Sequence, residues 1–478
     1  AVEPKASEQS APEKESLQEV TLKMYFPGDK KADEDAAWEN VSNMSKDVLN
    51  VKFDMQHIPW GDYQDKIKIL LTSGDKYDAH FDANWFCWPI LVKNNSLLEL
   101  DALMDQYAPN WKKHLVEGGF LDWAKVNGKT YAIPYTCNTS QRAYALVRTD
   151  LVKKYGIPEK FSTVEDLQSY LETVMKNEKD LRAVQGFGKG TSNMDNIIHA
   201  LMTKYSLDRE FAQSNFELTY DLNADKITIV PLEQTAAFRE ASKIRRQWYE
   251  KGWISKNAAN EDESGKKIKD GTAALAIRGF QDGYEAPTDP EKPFKGYEMY
   301  NEVKCTFSGS MGNAIAFNKN AANPERMMKF IEWAFSSQEN WDAVVYGIKG
   351  KTYNLINKDG ADIVEYVSGQ DDTSSYLGWV GRWVFWSDKF RRADPYTHPN
   401  YMKEGVAGIM ANKNNIVPAV AGFAFDTEPV KSEIAKRQAA MDMYGKALNY
   451  GLNADVDKGV DDYIAKQKAA GIDKIVAE

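Results

Sequence analysis

VTLKMYFPGDKKADEDAAWENVSNMSKDVLNVKFDMQHIPWGDYQDKIKILLTSGDKYDAHFD, residues 20–82, carries the pattern from which the fold can be read. Residues 20–26 are rich in β-formers and stop at Pro27-Gly28-Asp29, after which 33–50 carry helix-type spacing through Ala37, Val41, Met44 and Val48. Residues 51–58 (VKFDMQHI) read again as a strand, 62–72 as a helix turning Ile67, Leu70 and Leu71 inward, and 77–82 as a third strand. This alternation predicts an α/β protein with a parallel sheet covered by helices, whose ligands gather beyond the carboxyl ends of the strands.

Outward from this unit, a hairpin is expected over 124–135, where Asn127-Gly128 suits the positive φ angles of a type I′ turn. The αβ pattern restarts after 144–148, with Ser162 or Thr163 capping a helix that has Glu165 and Asp166 in its first turn. That restart predicts a second lobe. Residues 313–317 (NAIAF) read as a strand and Asn323-Pro324 as a helix start. A Trp-rich stretch at 376–390 follows, then a long helix from 428 to about 449 and a last one near 460–470. The expected organisation is lobe one from 20–143 plus 305–355 and lobe two from 144–304 plus 356–478, with a ligand cleft between them. Residues 1–19, rich in Ser, Glu, Lys and Pro and without an aromatic, read as a disordered tether.

The chain has 478 residues, too many for one core, and a net charge of −10 from 60 basic and 70 acidic side chains. With no separate basic run, nucleic acid and anionic membrane surfaces are poor partners. No window of about 20 apolar residues occurs. Cys87, Cys137 and Cys305 are too widely spaced for a disulfide framework or a CxxC site, and the five histidines fall at no metal-ligand spacing. Residues 186–190 (GFGKG) match no nucleotide-binding loop, and no GxSxG elbow occurs. Asp221, Asn223 and Asp225 match half of a calcium loop, but Lys226 and Leu232 stand where glycine and glutamate are needed. No cofactor, metal or catalytic residue is assigned, although 70 acids leave paired carboxylates for glycoside hydrolysis open.

Aromatic side chains are the distinctive feature, with 13 Trp, 24 Tyr and 20 Phe. Trp85 and Trp88 follow the third strand directly, and Trp379, Trp383 and Trp386 lie in a Gly-interrupted segment where Val384 and Phe385 read as core. Indole faces stack on the apolar face of sugar rings while polar neighbours satisfy the hydroxyls. The expected cleft takes Phe26, Asp29, Trp85, Trp88, Tyr135 and Asn138 from lobe one. From lobe two it takes Arg278 and Gln281, with Trp379, Trp383 and Trp386 as the opposing wall. Arg278 also reads as a plain surface charge; in the cleft it would favour a carboxylate ligand.

Several segments together carry a resemblance: IPWGDYQDKIKILLTSGDKYDAHF (58–81), SLLELDALMDQYAPNW (96–111), NGKTYAIPY (127–135), RTDLVKKYGI (148–157), NAIAFNKNAANPERMMKFIEW (313–333) and YGIKGKTYNL (346–355). In this order they resemble family 1 extracellular solute-binding proteins, the sugar receptors of bacterial ABC importers. GFAFDTEPVKSEIAK (422–436) and KAAGIDKIVAE (468–478) are similar to a Firmicute lipoprotein subgroup with a distinctive C-terminal domain. The resemblance implies two lobes joined by hinge crossovers, a mono- or oligosaccharide in the cleft, delivery to permease subunits and a monomer. It also implies a Gram-positive cell-surface lipoprotein held by an N-terminal Cys, which this sequence lacks; it begins without Met, and any secretory signal would have been trimmed. A secreted carbohydrate-active enzyme and a surface glycan adhesin are the competing readings.

Overall fold

The computed structural model describes residues 17–478 apart from 137–138, 189–195, 215, 264–267, 280–286, 310, 359–360, 372, 395–406, 422 and 424. Most of the tether read at 1–19, together with Asn138 and Gln281, therefore lies outside the described residues.

Strand β1 (Val20–Pro27), helix α1 (Glu34–Ser45), strand β2 (Val51–Ile58), helix α2 (Trp60–Ser73) and strand β3 (Ala79–Asp82) form the expected unit. β1 pairs in parallel with β2 over its whole length and with β3 on its other side. Helix α1 buries Ala37, Trp38 and Val41, and α2 buries Tyr63, Ile67 and Leu71, positions that share one helical face. The sheet continues beyond β3 with Ala314–Phe317 and then Ala132–Pro134, both antiparallel to their neighbours. Chain from far along the sequence thus completes the first lobe. Asn127 and Gly128, at φ 51° and 78°, make the turn between Lys125–Val126 and Lys129–Thr130.

A second sheet orders Phe294–Glu298, Tyr144–Arg148, Ala273–Arg278 and Arg182–Gln185. Thr163 caps Val164–Asn177 by accepting from the Asp166 amide, and the Asp166 carboxylate answers to the Thr163 amide, a closed capping box. The core of this lobe takes in Trp248, Trp253, Met441, Leu448, Val460 and Tyr463. The C-terminal helices are fastened to it by a buried bidentate pair, in which Arg437 donates to both oxygens of Glu233 at 2.8 and 3.1 Å. Thr139–Ser140 pairs with Cys305–Ser308, which pairs with Asn415–Ile416, so three passes of chain meet in a separate small sheet.

Two expectations are corrected. Residues 376–390 do not belong to lobe two: Tyr376, Leu377, Trp379, Val384, Phe385 and Phe390 are buried in the first core. Among them, Trp379 packs edge-on against Phe26, near the carboxyl end of β1, at 5.2 Å. The 428–449 segment is not one regular helix either, but a 3-10 turn, Lys431–Ala440, a π-helical turn at Met441–Gly445 and Lys446–Asn449.

Candidate functional site

The carboxyl ends of β1, β2 and β3 present one aromatic surface. Gly28 follows β1 at φ +94°, and a Cβ there would lie 3.5 Å from Val380 and 3.8 Å from the Trp60 Nε1. Trp60 opens α2 immediately after β2, is 39% exposed, and lies 6.2 Å from the half-buried Trp383. The row continues through the buried Phe81, 5.8 Å from Trp60 and 6.4 Å from Trp85. Trp85 is 50% exposed, yet its indole donates to the Gly312 carbonyl at 2.7 Å, so the open ring face has a set direction. The turn carrying it is organised by the buried Asp82, whose carboxylate accepts from the amides of Ala83, Cys87 and Trp88 at 2.8 to 3.0 Å.

Trp386 is half-buried, with the Arg391 guanidinium 3.9 Å above its ring and Tyr135 6.4 Å away. Tyr135 itself is buried, and its hydroxyl lies 3.0 Å from where a Gly312 Cβ would be. Asp29 is exposed beyond β1.

Other expected contacts fall elsewhere. Trp379 is fully buried, ringed by Phe26, Trp38, Tyr376 and Phe385 at 5.2, 5.3, 5.5 and 6.1 Å, so neither it nor Phe26 faces a cleft. Trp383 and Trp386 stand with Trp85 on the first lobe instead of opposing it from the second. Trp379 caps the 3-10 turn Val380–Phe385 and Trp383 lies within it, so that one ring enters the core while the other stays half-buried. Trp88 is 1% exposed, and its Nε1 has no protein acceptor. Trp60 was missed, although it follows β2 as closely as Trp85 follows β3; the rule applied to one strand end holds for its neighbour.

The facing edge of the second lobe is polar. Arg278, half-buried at the end of its strand, packs on Gly186, where a Cβ would come within 2.6 Å of its Nη1; Gly186 holds φ +102°. His199 donates through Nε2 to the Gln141 carbonyl at 2.8 Å. Burial, reinforced by the Arg209 and Arg278 charges, pushes its pKa well below the ordinary value and keeps it neutral. Glu210 accepts from the Gln141 side chain at 2.6 Å and, across the gap, from Asn84 at 3.3 Å. Burial pushes the Glu210 carboxyl up to about 7, with the neighbouring Asp208 adding to the shift. Among the described residues no group of three or more His, Cys, Asp or Glu side chains is placed to hold a metal, and no helix is long and apolar enough to cross a membrane.

Residues 31–341 match the bacterial extracellular solute-binding protein family. The chain belongs to that family. Residues 419–478 of this solute-binding protein also match DUF3502, a domain of unknown function. A carbohydrate ABC transporter substrate-binding protein of Streptococcus pneumoniae is 24% identical over 468 residues, 94% of this chain and 87% of that one. The crystal structure of the N-glycan transport solute-binding protein of Streptococcus pneumoniae shares the fold, with a TM-score of 0.75 at 21% identity over 96% of both chains. A Streptococcus pneumoniae ABC-transporter substrate-binding protein in complex with kestose gives 0.60 at 17% identity, covering 96% of this chain and 97% of that one.

Proposed function

We propose that this solute-binding protein is the extracellular receptor for a neutral oligosaccharide, which it delivers to an ABC importer without altering it. The observation carrying the reading is the row Trp383, Trp60, Phe81, Trp85. Exposed indoles such as Trp60 and Trp85, the latter with a set orientation, are costly to leave in water, and they fit the apolar faces of sugar rings. Asn84 beside Trp85, with Gln141, Glu210 and Arg278 of the second lobe, supplies both donors and acceptors for hydroxyls. Asp29 extends that set at the β1 end, and with it the site residues of the first lobe are proposed as one wall. The relatives support the same class, one being named for carbohydrate and others solved with Man1GlcNAc or kestose.

The chain acts as a monomer whose lobes close about the central strands, its partners being permease subunits, and lipid anchoring at the cell surface suits that role. A glycan array screened with the whole chain, followed by chromatography of the bound glycan after long incubation, tests the reading. Capture of neutral oligosaccharides recovered intact is expected. Cleavage products would install the enzyme reading, and no capture would remove the carbohydrate reading.

A further inference from the structure

A cavity of about 690 Å³ opens on the flank of the cleft, beyond Trp85. This lies within the range of roughly 300–1,000 Å³ that small-molecule sites occupy. One side is first-lobe structure around Trp85, Trp88 and Trp123; the other is Phe211 of the second lobe with Phe423 and Phe425 of the C-terminal domain. Phe423 is 52% exposed, held against Phe211 at 5.7 Å and stacked on Phe425 at 6.5 Å and 20°. An ion pair between Lys93 and Asp426 ties this segment to the first lobe across the rim.

Three features mark the cavity as a place for a ligand and not as loose packing. Two exposed aromatic faces, Trp85 and Phe423, line the same space, and both are fixed from behind. Asn84 and Trp88 are among its lining residues, and the buried Trp88 Nε1 and Asn84 Oδ1 have no protein partner. Buried polar atoms left open beside a cavity are groups that a polar guest can partner. The charged groups of the lining balance, with Lys68 and Lys93 against Asp426 and Glu428, while burial raises the carboxyls of Asp208 and Glu210. That setting suits an uncharged guest.

We infer that the cleft has a second arm, and that the C-terminal domain serves to wall it: the receptor takes a neutral oligosaccharide long or branched enough to pass Trp85 and place a further sugar against Phe423. This rests on the carbohydrate reading and specifies its substrate class. Residues that sit in a domain of unknown function would thereby select ligand size.

The test uses the whole chain and calorimetry with neutral gluco-, manno-, xylo- and fructo-oligosaccharides, each as disaccharide and hexasaccharide. Phe423→Ala is expected to weaken the best hexasaccharide by about fivefold or more, as loss of one stacking platform does. The matching disaccharide should stay within about twofold, and Phe423→Trp, which keeps a ring face, should retain hexasaccharide affinity. Equal hexasaccharide affinity in Phe423→Ala and wild type overturns the inference, as does an equal loss for both lengths. If Phe423→Ala fails to fold, wild-type affinity that does not rise from disaccharide to hexasaccharide in any series overturns it instead. Failure of wild type to bind any member overturns the carbohydrate reading and this inference with it, whereas the former outcomes leave that reading standing.

Discussion

Replacing Trp379 by alanine and replacing Trp383 by alanine should have opposite consequences, although the two residues are four apart in one Trp-rich segment. Trp379 is fully buried and touches four aromatic rings, and the gap left by its indole is walled by Phe26, Trp38, Tyr376 and Phe385. These rings belong to separate elements and cannot all collapse inward. Large-to-small substitution of a buried aromatic costs about 3–5 kcal/mol, so Trp379→Ala should lower Tm by roughly 10 °C and shift the urea midpoint in proportion. Trp383 is half-buried and meets Trp60 at 6.2 Å. Its removal should leave stability within about 1 kcal/mol of wild type, while the loss of one stacking face, worth about 1–3 kcal/mol, weakens glycan binding tenfold or more. Differential scanning calorimetry and titration calorimetry on both variants read the two quantities separately. A Trp379→Ala protein as stable as wild type, or a Trp383→Ala protein that melts early, would refute the division of this segment into core ring and binding ring.

Gly381→Ala should mimic the Trp379 lesion, because a Cβ at Gly381 would lie 2.1 Å from the Trp379 ring; a Tm unchanged from wild type would contradict this. Arg437→Met should destabilise the protein by about 3–5 kcal/mol, since it strands the buried Glu233 carboxylate, with denaturant unfolding followed by circular dichroism as the readout. Glu210 bears on pH: its carboxyl is raised from 4.5 to about 7, so the folded state holds a proton that the unfolded chain has released. Its destabilising effect therefore grows as pH rises from about 4.5 to about 7 and is constant above. Glu210→Gln should flatten that part of the Tm profile, and a variant profile parallel to wild type would count against the assignment.

Periodicity along one segment was readable; the choice of partner was not. β1, α1, β2, α2 and β3 were legible because each buries residues at its own repeat, and the Thr163 capping box and the Asn127-Gly128 turn because their chemistry is local. The lobe that receives residues 376–390 depends on which rings need covering, a property of the far-removed Phe26 and Trp38. Nothing within GWVGRWVFW distinguishes Trp379 from Trp383 until the 3-10 turn places one inward. At the site, Trp85 was legible from its place after β3 and Trp60 equally so. Glu210 and Phe423 have no local signature, since one acts through Asn84 and the other through a cavity shared by both lobes and the C-terminal domain.

Titration calorimetry of the whole chain with the neutral hexasaccharide that binds best on the array tests the central claim most directly, run beside Trp60→Ala and Trp383→Ala. The account predicts saturable one-to-one binding by wild type and a loss of tenfold or more in each variant at unchanged melting temperature. Wild-type affinity in both variants would contradict it, because the ligand would then be held somewhere other than the aromatic face at the carboxyl ends of β1, β2 and β3.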